Sequence, residues 1–132
     1  MTKTTTIFYW GARIVAAIIL LQTLYFKFTG SPESVYIFST IGMEPWGRIG
    51  IGVLELISAV LLLISATAWL GAVLTLGLMM GAIGMHLTLL GIVVQDDGGQ
   101  LFIYALIVTF SSAFVLWQNK DKVILLIKRV TG

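Results

Sequence analysis

The sequence predicts an all-α integral membrane protein: a four-transmembrane-helix bundle with a short interfacial helix between spans one and two. Of the 132 residues, 58% are hydrophobic and only 11% are charged, and the mean hydropathy is +1.02. Soluble domains carry about 25% charged residues. A short chain with this much apolar side chain needs lipid as its solvent, which excludes a soluble globule and a disordered chain.

Four long apolar stretches follow one another along the chain, and each has the length that a membrane-spanning helix needs. Backbone groups in lipid must be paired, and the chain lacks the polar–apolar alternation of barrel strands. We therefore expect a single membrane domain over residues 1–132. Its spans are predicted at about 7–26, 46–64, 69–94 and 101–117, and a basic tail at 118–132.

The first span begins after Lys3, and we expect it to stay as an uncleaved anchor because bulky residues follow it where a signal peptidase needs small ones. Its Arg13 is expected near the cytoplasmic surface, with the side chain reaching toward the lipid headgroups. The connection that follows contains Ser31, Pro32 and Glu33, which suit a helix cap, a first helical residue and the positive helix end. These three residues predict the short interfacial helix.

Basic residues are distributed unevenly between the two ends of the bundle. With four spans both termini lie on one face, and an excess of Lys and Arg marks the cytoplasmic face. The opposite face has Lys27 and Arg48. We expect cytoplasmic termini because the terminal face collects five basic residues, namely Lys3, Lys120, Lys122, Lys128 and Arg129.

Ionisable residues inside the spans are the best candidates for a site, because each is costly in lipid and needs a partner. Glu55 lies nine residues after Trp46, and His86 lies eight before Val94. Both are therefore expected roughly 12 to 14 Å below the outer surface. With Lys27 and Arg48 at the mouth above them, they predict a polar ligand-binding pocket. The alternative is that Glu55 and His86 only lock helices together while the two cations reach to the interface.

Other patterns are less informative about function. Glycines recur in the third span at Gly77, Gly81 and Gly84, which predicts close helix packing within the bundle or in a homo-oligomer. One His, one nearby carboxylate and no Cys are too few ligands for a metal site. The net charge of +2 does not indicate nucleic-acid binding. No complete catalytic motif is present, so no catalytic residue is assigned.

A set of short motifs resembles a known family. They are Lys27-Phe28-x-Gly30-x-Pro32, Ile41-Gly42, Ile49-Gly50, Leu54-Glu55-Leu56, Gly71-Ala72, Met80-x-x-Ile83 and His86-Leu87. In this order, over roughly residues 11–117, they resemble the DoxX and DoxX-like family of small bacterial membrane proteins. The resemblance implies a four-helix protein of the bacterial inner (plasma) membrane, with the family's characteristic polar positions at Lys27, Glu55 and His86.

The family is related to the small subunit of a thiosulfate:quinone oxidoreductase. The resemblance therefore implies a membrane subunit or accessory protein of a redox system that binds a quinone or similar lipophilic molecule. No other cofactor is evident, and a redox role would need quinone or a redox partner subunit. If the chain takes part in catalysis, it does so as a subunit of a quinone-linked oxidoreductase. Two alternatives stay open: a structural or assembly partner without a ligand, and a small proton-linked permease that acts as an oligomer.

Overall fold

The computed structural model describes residues 1–132 and contains helices and no strand. In chain order the helices are α1 (Lys3–Thr29), α2 (Pro32–Thr40), α3 (Trp46–Leu63), α4 (Ala68–Met85), α5 (Gln100–Gln118) and α6 (Lys120–Thr131). The four long helices are long and apolar enough to cross a membrane. The predicted all-α four-span bundle is confirmed, and α2 is the short helix expected between the first two spans.

Helix α2 starts as the sequence predicts. Gly30 ends α1 with a positive φ of 67°, a conformation that glycine adopts without strain. The Ser31 hydroxyl then accepts a hydrogen bond from the backbone N–H of Ser34 at 3.3 Å, and Pro32 occupies the first turn. The tight reversal folds α2 back over one end of the bundle.

The four long helices form a ring in which α1 packs against α3 and α5, and α4 packs against the same two helices. Much of the core is alanine, as at Ala16, Ala59 and Ala72, so the helices approach closely there. Large apolar side chains such as Phe110 and Trp117 are exposed on the outside. Because water would disfavour such a surface, the outer face of the ring is suited to lipid.

The α3–α4 turn is held by a buried arginine. Arg13 of α1 is fully buried, donates from Nε to the carbonyl oxygen of Leu62 at 2.7 Å and lies 3.3 Å from the Ser65 hydroxyl. Its guanidinium stacks 3.8 Å from the centre of the Trp10 ring. The expectation that Arg13 reaches toward the headgroups is wrong, because its side chain satisfies a carbonyl left free at the end of α3.

The third span ends earlier than its apolar composition predicts. After α4 the chain makes a π-helical turn from His86 to Leu90, and Gly91 then adopts φ 77° and ψ 171°, a conformation essentially restricted to glycine. The helix therefore stops at Leu90 and not near Val94. His86 lies four residues from this end, roughly 6 Å, and is shallower than predicted.

Glycines mediate close packing, but not those that the sequence singles out. A Cβ at Gly71 would lie 2.7 Å from the backbone nitrogen of Leu62, so α3 and α4 could not pack this closely with a larger residue. In contrast, a Cβ at Gly77, Gly81 or Gly84 would meet no atom within 4 Å. This stripe makes no close helix contact within the chain.

Helix α6 follows α5 after a break at Asn119, whose side-chain amide donates to the Tyr9 hydroxyl and to the Val115 carbonyl, both at 2.8 Å. None of its residues is buried. At 100° per residue, Val123, Ile127 and Val130 share a face, and Lys128 and Arg129 lie on the opposite side of the helix. The helix is therefore amphipathic and lies outside the ring.

Candidate functional site

A cavity of about 520 Å³ lies between the four long helices and α2. This volume falls within the range of small-molecule binding sites, about 300 to 1,000 Å³. Of its 28 lining residues 17 are hydrophobic, among them Leu20, Met79 and Val108 from three different helices. The cavity is therefore an apolar space inside the bundle, with a limited number of polar groups on its wall.

An ion pair between α1 and α3 forms one polar part of the wall. Lys27 Nζ lies 3.2 Å from Oε1 and 3.3 Å from Oε2 of Glu55, and the Thr23 hydroxyl lies 3.2 Å from Oε2. The Glu55 side chain is 5% exposed and that of Lys27 is 16% exposed, so water screens the pair weakly. Thr23 and Lys27 are four residues apart and share one face of α1, which brings both to the carboxylate.

His86 forms a second polar part of the wall, at the start of the π-helical turn. Its Nδ1 lies 2.9 Å from the carbonyl oxygen of Gly91, and its ring packs edge-on to Phe102 with 5.6 Å between the centroids. A carbonyl oxygen only accepts, so Nδ1 carries the hydrogen and the neutral ring has its lone pair on Nε2. Nε2 makes no hydrogen bond within the protein.

Three of the four residues predicted from the sequence line this cavity: Lys27, Glu55 and His86. Glu55 and His86 both reach it, but Glu55 pairs with Lys27, and His86 bonds the Gly91 carbonyl. Glu55 and His86 have separate partners because the third span ends early. His86 therefore lies closer to the surface, while Glu55 lies nine residues inside α3.

Arg48 does not line the cavity. Its Nε lies 2.9 Å and 3.0 Å from the two carboxylate oxygens of Glu44, and Nη1 donates to the carbonyl oxygen of Lys27. It therefore holds the end of α1, as Arg13 holds the end of α3. Its contact with the Lys27 backbone fixes the point from which the Lys27 side chain enters the cavity.

Two acidic residues near the cavity were not among the predicted site residues. Glu33, expected only to stabilise the start of α2, lines the cavity, and its carboxylate makes no hydrogen bond. Its Oε1 is buried. Asp97 accepts hydrogen bonds from the backbone N–H groups of Val94, Gly99 and Leu101 at 3.0, 2.8 and 3.3 Å. Neither position follows from periodicity, since the reversal before α2 brings Glu33 to the cavity and the turn at residues 91–99 brings Asp97 near Glu33.

The two acids differ in their electrostatic surroundings. Burial raises the pKa of Glu33, and the nearby negative charge of Asp97 raises it further. For Asp97, burial alone would raise the pKa, but the three backbone N–H groups lower it below its ordinary value. The ionised form is thus disfavoured at Glu33 and favoured at Asp97.

The geometry is suited to holding an amphipathic small molecule. Apolar side chains from all four long helices can contact a hydrocarbon part, while Lys27, Glu55, His86 and Glu33 offer polar contacts for a head group. No group of three or more His, Asp or Glu side chains is placed to hold a metal ion. The short π-helical turn at His86 is of a kind that occurs frequently at functional sites.

A family model described as the DoxX-like family matches residues 12–113, which is most of the chain. This confirms the resemblance seen in the sequence motifs. Comparison with curated proteins and with solved structures finds no similar protein. Four apolar helices of spanning length and the family match lead to one conclusion: this multi-pass membrane protein belongs to the DoxX-like family.

Proposed function

We propose that the protein binds a quinone or a similar lipophilic molecule in the cavity between its helices. The observation that carries this proposal is the combination of a 520 Å³ apolar cavity with a buried Lys27–Glu55 ion pair on its wall. Burying two charges on a mostly apolar wall is costly unless they gain further polar contacts. The head group of a ligand supplies such contacts, and the apolar wall accepts its tail.

Each polar residue has a distinct part in this proposal. Lys27 Nζ has three hydrogens, and those not used by Glu55 can be donated to a ligand oxygen. Nε2 of His86 can accept a hydrogen bond or a proton from the ligand. Glu55 holds Lys27 in place, and Arg48 acts on the site as a positioning residue through the Lys27 carbonyl.

The proposed place of the protein is a redox system of the bacterial inner membrane, as a membrane subunit or accessory protein. This chain supplies the ligand cavity, and a partner subunit supplies the electron-transfer chemistry. The proposed topology has both termini in the cytoplasm. It is supported by the excess of basic residues at the terminal face, which has Lys3 and the four basic residues of α6 against Lys27 and Arg48 at the α2 end.

A labelling experiment tests this orientation. Because the chain has no cysteine, single-cysteine variants are informative without further changes. In intact cells, an impermeant thiol reagent is expected to label Ser39→Cys on α2 and not Thr131→Cys at the end of α6. Labelling of Thr131→Cys alone would reverse the proposed topology.

A second candidate function is assembly with another protein or another copy of the chain. The observation in its favour is the stripe of Gly77, Gly81 and Gly84, where an added Cβ would meet no atom within 4 Å, although Gly77 and Gly81 also line the cavity. Small residues of this kind allow close approach of a helix in lipid. In this alternative the Lys27–Glu55 pair only joins α1 to α3.

Titration of the purified protein in detergent with a short-chain quinone tests the proposed function. The wild type is expected to bind, and His86→Phe and Lys27→Met are each expected to bind about tenfold more weakly, equivalent to about 1.4 kcal/mol. Leu87→Ala is the matched control, since Leu87 neighbours His86 but is exposed and does not line the cavity. Absence of quinone binding to a folded wild type would refute the proposal.

A further inference from the structure

We infer that the cavity selects lipophilic molecules whose head group donates hydrogen bonds, such as a phenol or quinol, with Glu33 and Nε2 of His86 as the acceptors. This inference rests on the proposed function, since it assumes that the cavity takes a ligand. It adds the chemical class of head group that the free polar atoms of the cavity favour.

Glu33 is the first acceptor. It lines the cavity near the start of α2, and its carboxylate has no hydrogen-bond partner in the protein. The residue is partly buried, and its buried Oε1 has lost hydration without gaining a donor, which is costly. A hydroxyl group on a ligand would replace that hydration, whereas a carbonyl or ether oxygen would face the carboxylate as a second acceptor and be repelled.

His86 is the second acceptor. Its Nδ1–H donates to the Gly91 carbonyl, so the neutral ring has an acceptor at Nε2, and no protein group donates to it. Helix α2 packs against the π-helical turn that contains His86. The two free acceptors therefore belong to elements in contact with each other and line the same cavity.

Several nearby polar groups have partners within the protein. Lys27 is held by both oxygens of Glu55, and the Gln100 amide donates to the Tyr104 hydroxyl at 2.9 Å. Asp97 accepts hydrogen bonds from three backbone N–H groups, whereas Glu33 accepts none from the protein. Glu33 Oε1 and Nε2 of His86 are thus acceptor atoms that receive no hydrogen bond from the protein, while Lys27 keeps one hydrogen for a ligand oxygen.

A matched pair of probes tests the inference: para-octylphenol, and its methyl ether, which cannot donate. Their binding to the full-length protein in detergent is measured by isothermal titration calorimetry. The wild type is expected to bind the phenol at least about tenfold more tightly than the ether, the effect of one hydrogen bond to a charged group. Glu33→Leu is expected to reduce this preference to about twofold without weakening the binding of the ether. Tyr36→Leu, an exposed position on the same helix outside the cavity, should keep the preference.

The outcomes separate the inference from the function on which it rests. If the wild type binds both probes equally, the selectivity is refuted and the lipophile-binding cavity stands. If it binds neither probe nor a quinone, the proposed function fails as well. A preference unchanged in Glu33→Leu would overturn the assignment to Glu33. Should that variant not fold, Glu33→Gln serves in its place, and an undiminished preference there would also count against the carboxylate.

Discussion

Lys27 Nζ lies 3.2 Å from Oε1 and 3.3 Å from Oε2 of Glu55, so one ammonium group from α1 bridges both oxygens of a carboxylate on α3. The pair lies on the wall of the cavity and joins two helices at the same time. Its contributions to stability and to ligand binding are therefore separate quantities, and variants can measure each of them.

The first prediction separates these contributions. Glu55→Leu alone should lower the free energy of unfolding by about 3 kcal/mol, because it leaves the buried Lys27 cation unpaired. Combining it with Lys27→Met should restore the stability to within about 1 kcal/mol of wild type, since well-packed apolar side chains often replace a buried pair without loss. The double variant should still bind quinone about tenfold more weakly than wild type, as Lys27→Met alone does. Unfolding in mixed micelles followed by tryptophan fluorescence, with quinone titration, measures both properties.

A double variant that is as stable as wild type and binds quinone with wild-type affinity would show that the ion pair only joins the helices. Arg48→Lys can be compared with the variants of the ion pair, because it changes a residue that bonds the Lys27 carbonyl without lining the cavity.

A second prediction concerns the buried arginine at the other end of the bundle. Arg13→Met should lower the free energy of unfolding by about 1 to 3 kcal/mol, because the Leu62 carbonyl loses its donor. Arg13→Lys should recover little of this loss, since an ammonium group lacks the flat face that stacks on Trp10. Quinone affinity of the folded protein should not change. Thermal unfolding in detergent measures the first effect, and an Arg13→Met variant as stable as wild type would contradict it.

A third prediction concerns acid stability. The pKa of Asp97 is lowered from 3.8 in the folded protein, so its contribution to stability is present above that pH and is lost as the pH falls through the folded-state pKa. Asp97→Asn should therefore flatten the fall in stability below about pH 4 and lower the stability at neutral pH by about 1 kcal/mol, as for the loss of a helix cap.

The effect of Asp97→Asn on stability at low pH should be measured in a protein that lacks the Glu33 carboxylate. The raised pKa of Glu33 has the opposite sign, since stability from that group decreases as the pH rises from its ordinary pKa through the raised one. Both proteins in the comparison should therefore carry Glu33→Gln. If the pH profiles of stability with and without Asp97→Asn have the same slope, the assigned role of the three backbone N–H groups is contradicted.

Much of the fold follows from the sequence because lipid allows few solutions. Apolar length predicts the four spans, and Ser31 and Pro32 predict the start of α2. The end of the third span could not be predicted from composition, because Ile92, Val93 and Val94 are as apolar as the helix before them. Only the backbone conformation of Gly91, with φ 77°, ends the helix.

The site was predictable only in part for a related reason. Charge inside a span indicates that Lys27, Glu55 and His86 need partners, but it does not say which partners. Pairing depends on depth, and the early end of the third span changed the depth of His86. The position of Arg13 along α1 predicts a place near the surface, because it does not reveal that the α3–α4 turn folds over the side chain.

Quinone affinity after filling the cavity tests the binding proposal most directly. Gly81 lines the cavity and Gly84 does not, while both lie on α4, are exposed, and leave open space for a side chain. If the cavity is the binding site, Gly81→Phe should weaken quinone binding by at least about tenfold. Gly84→Phe should bind quinone with an affinity within about twofold of wild type. Equal binding by the wild type and both variants would contradict the proposal.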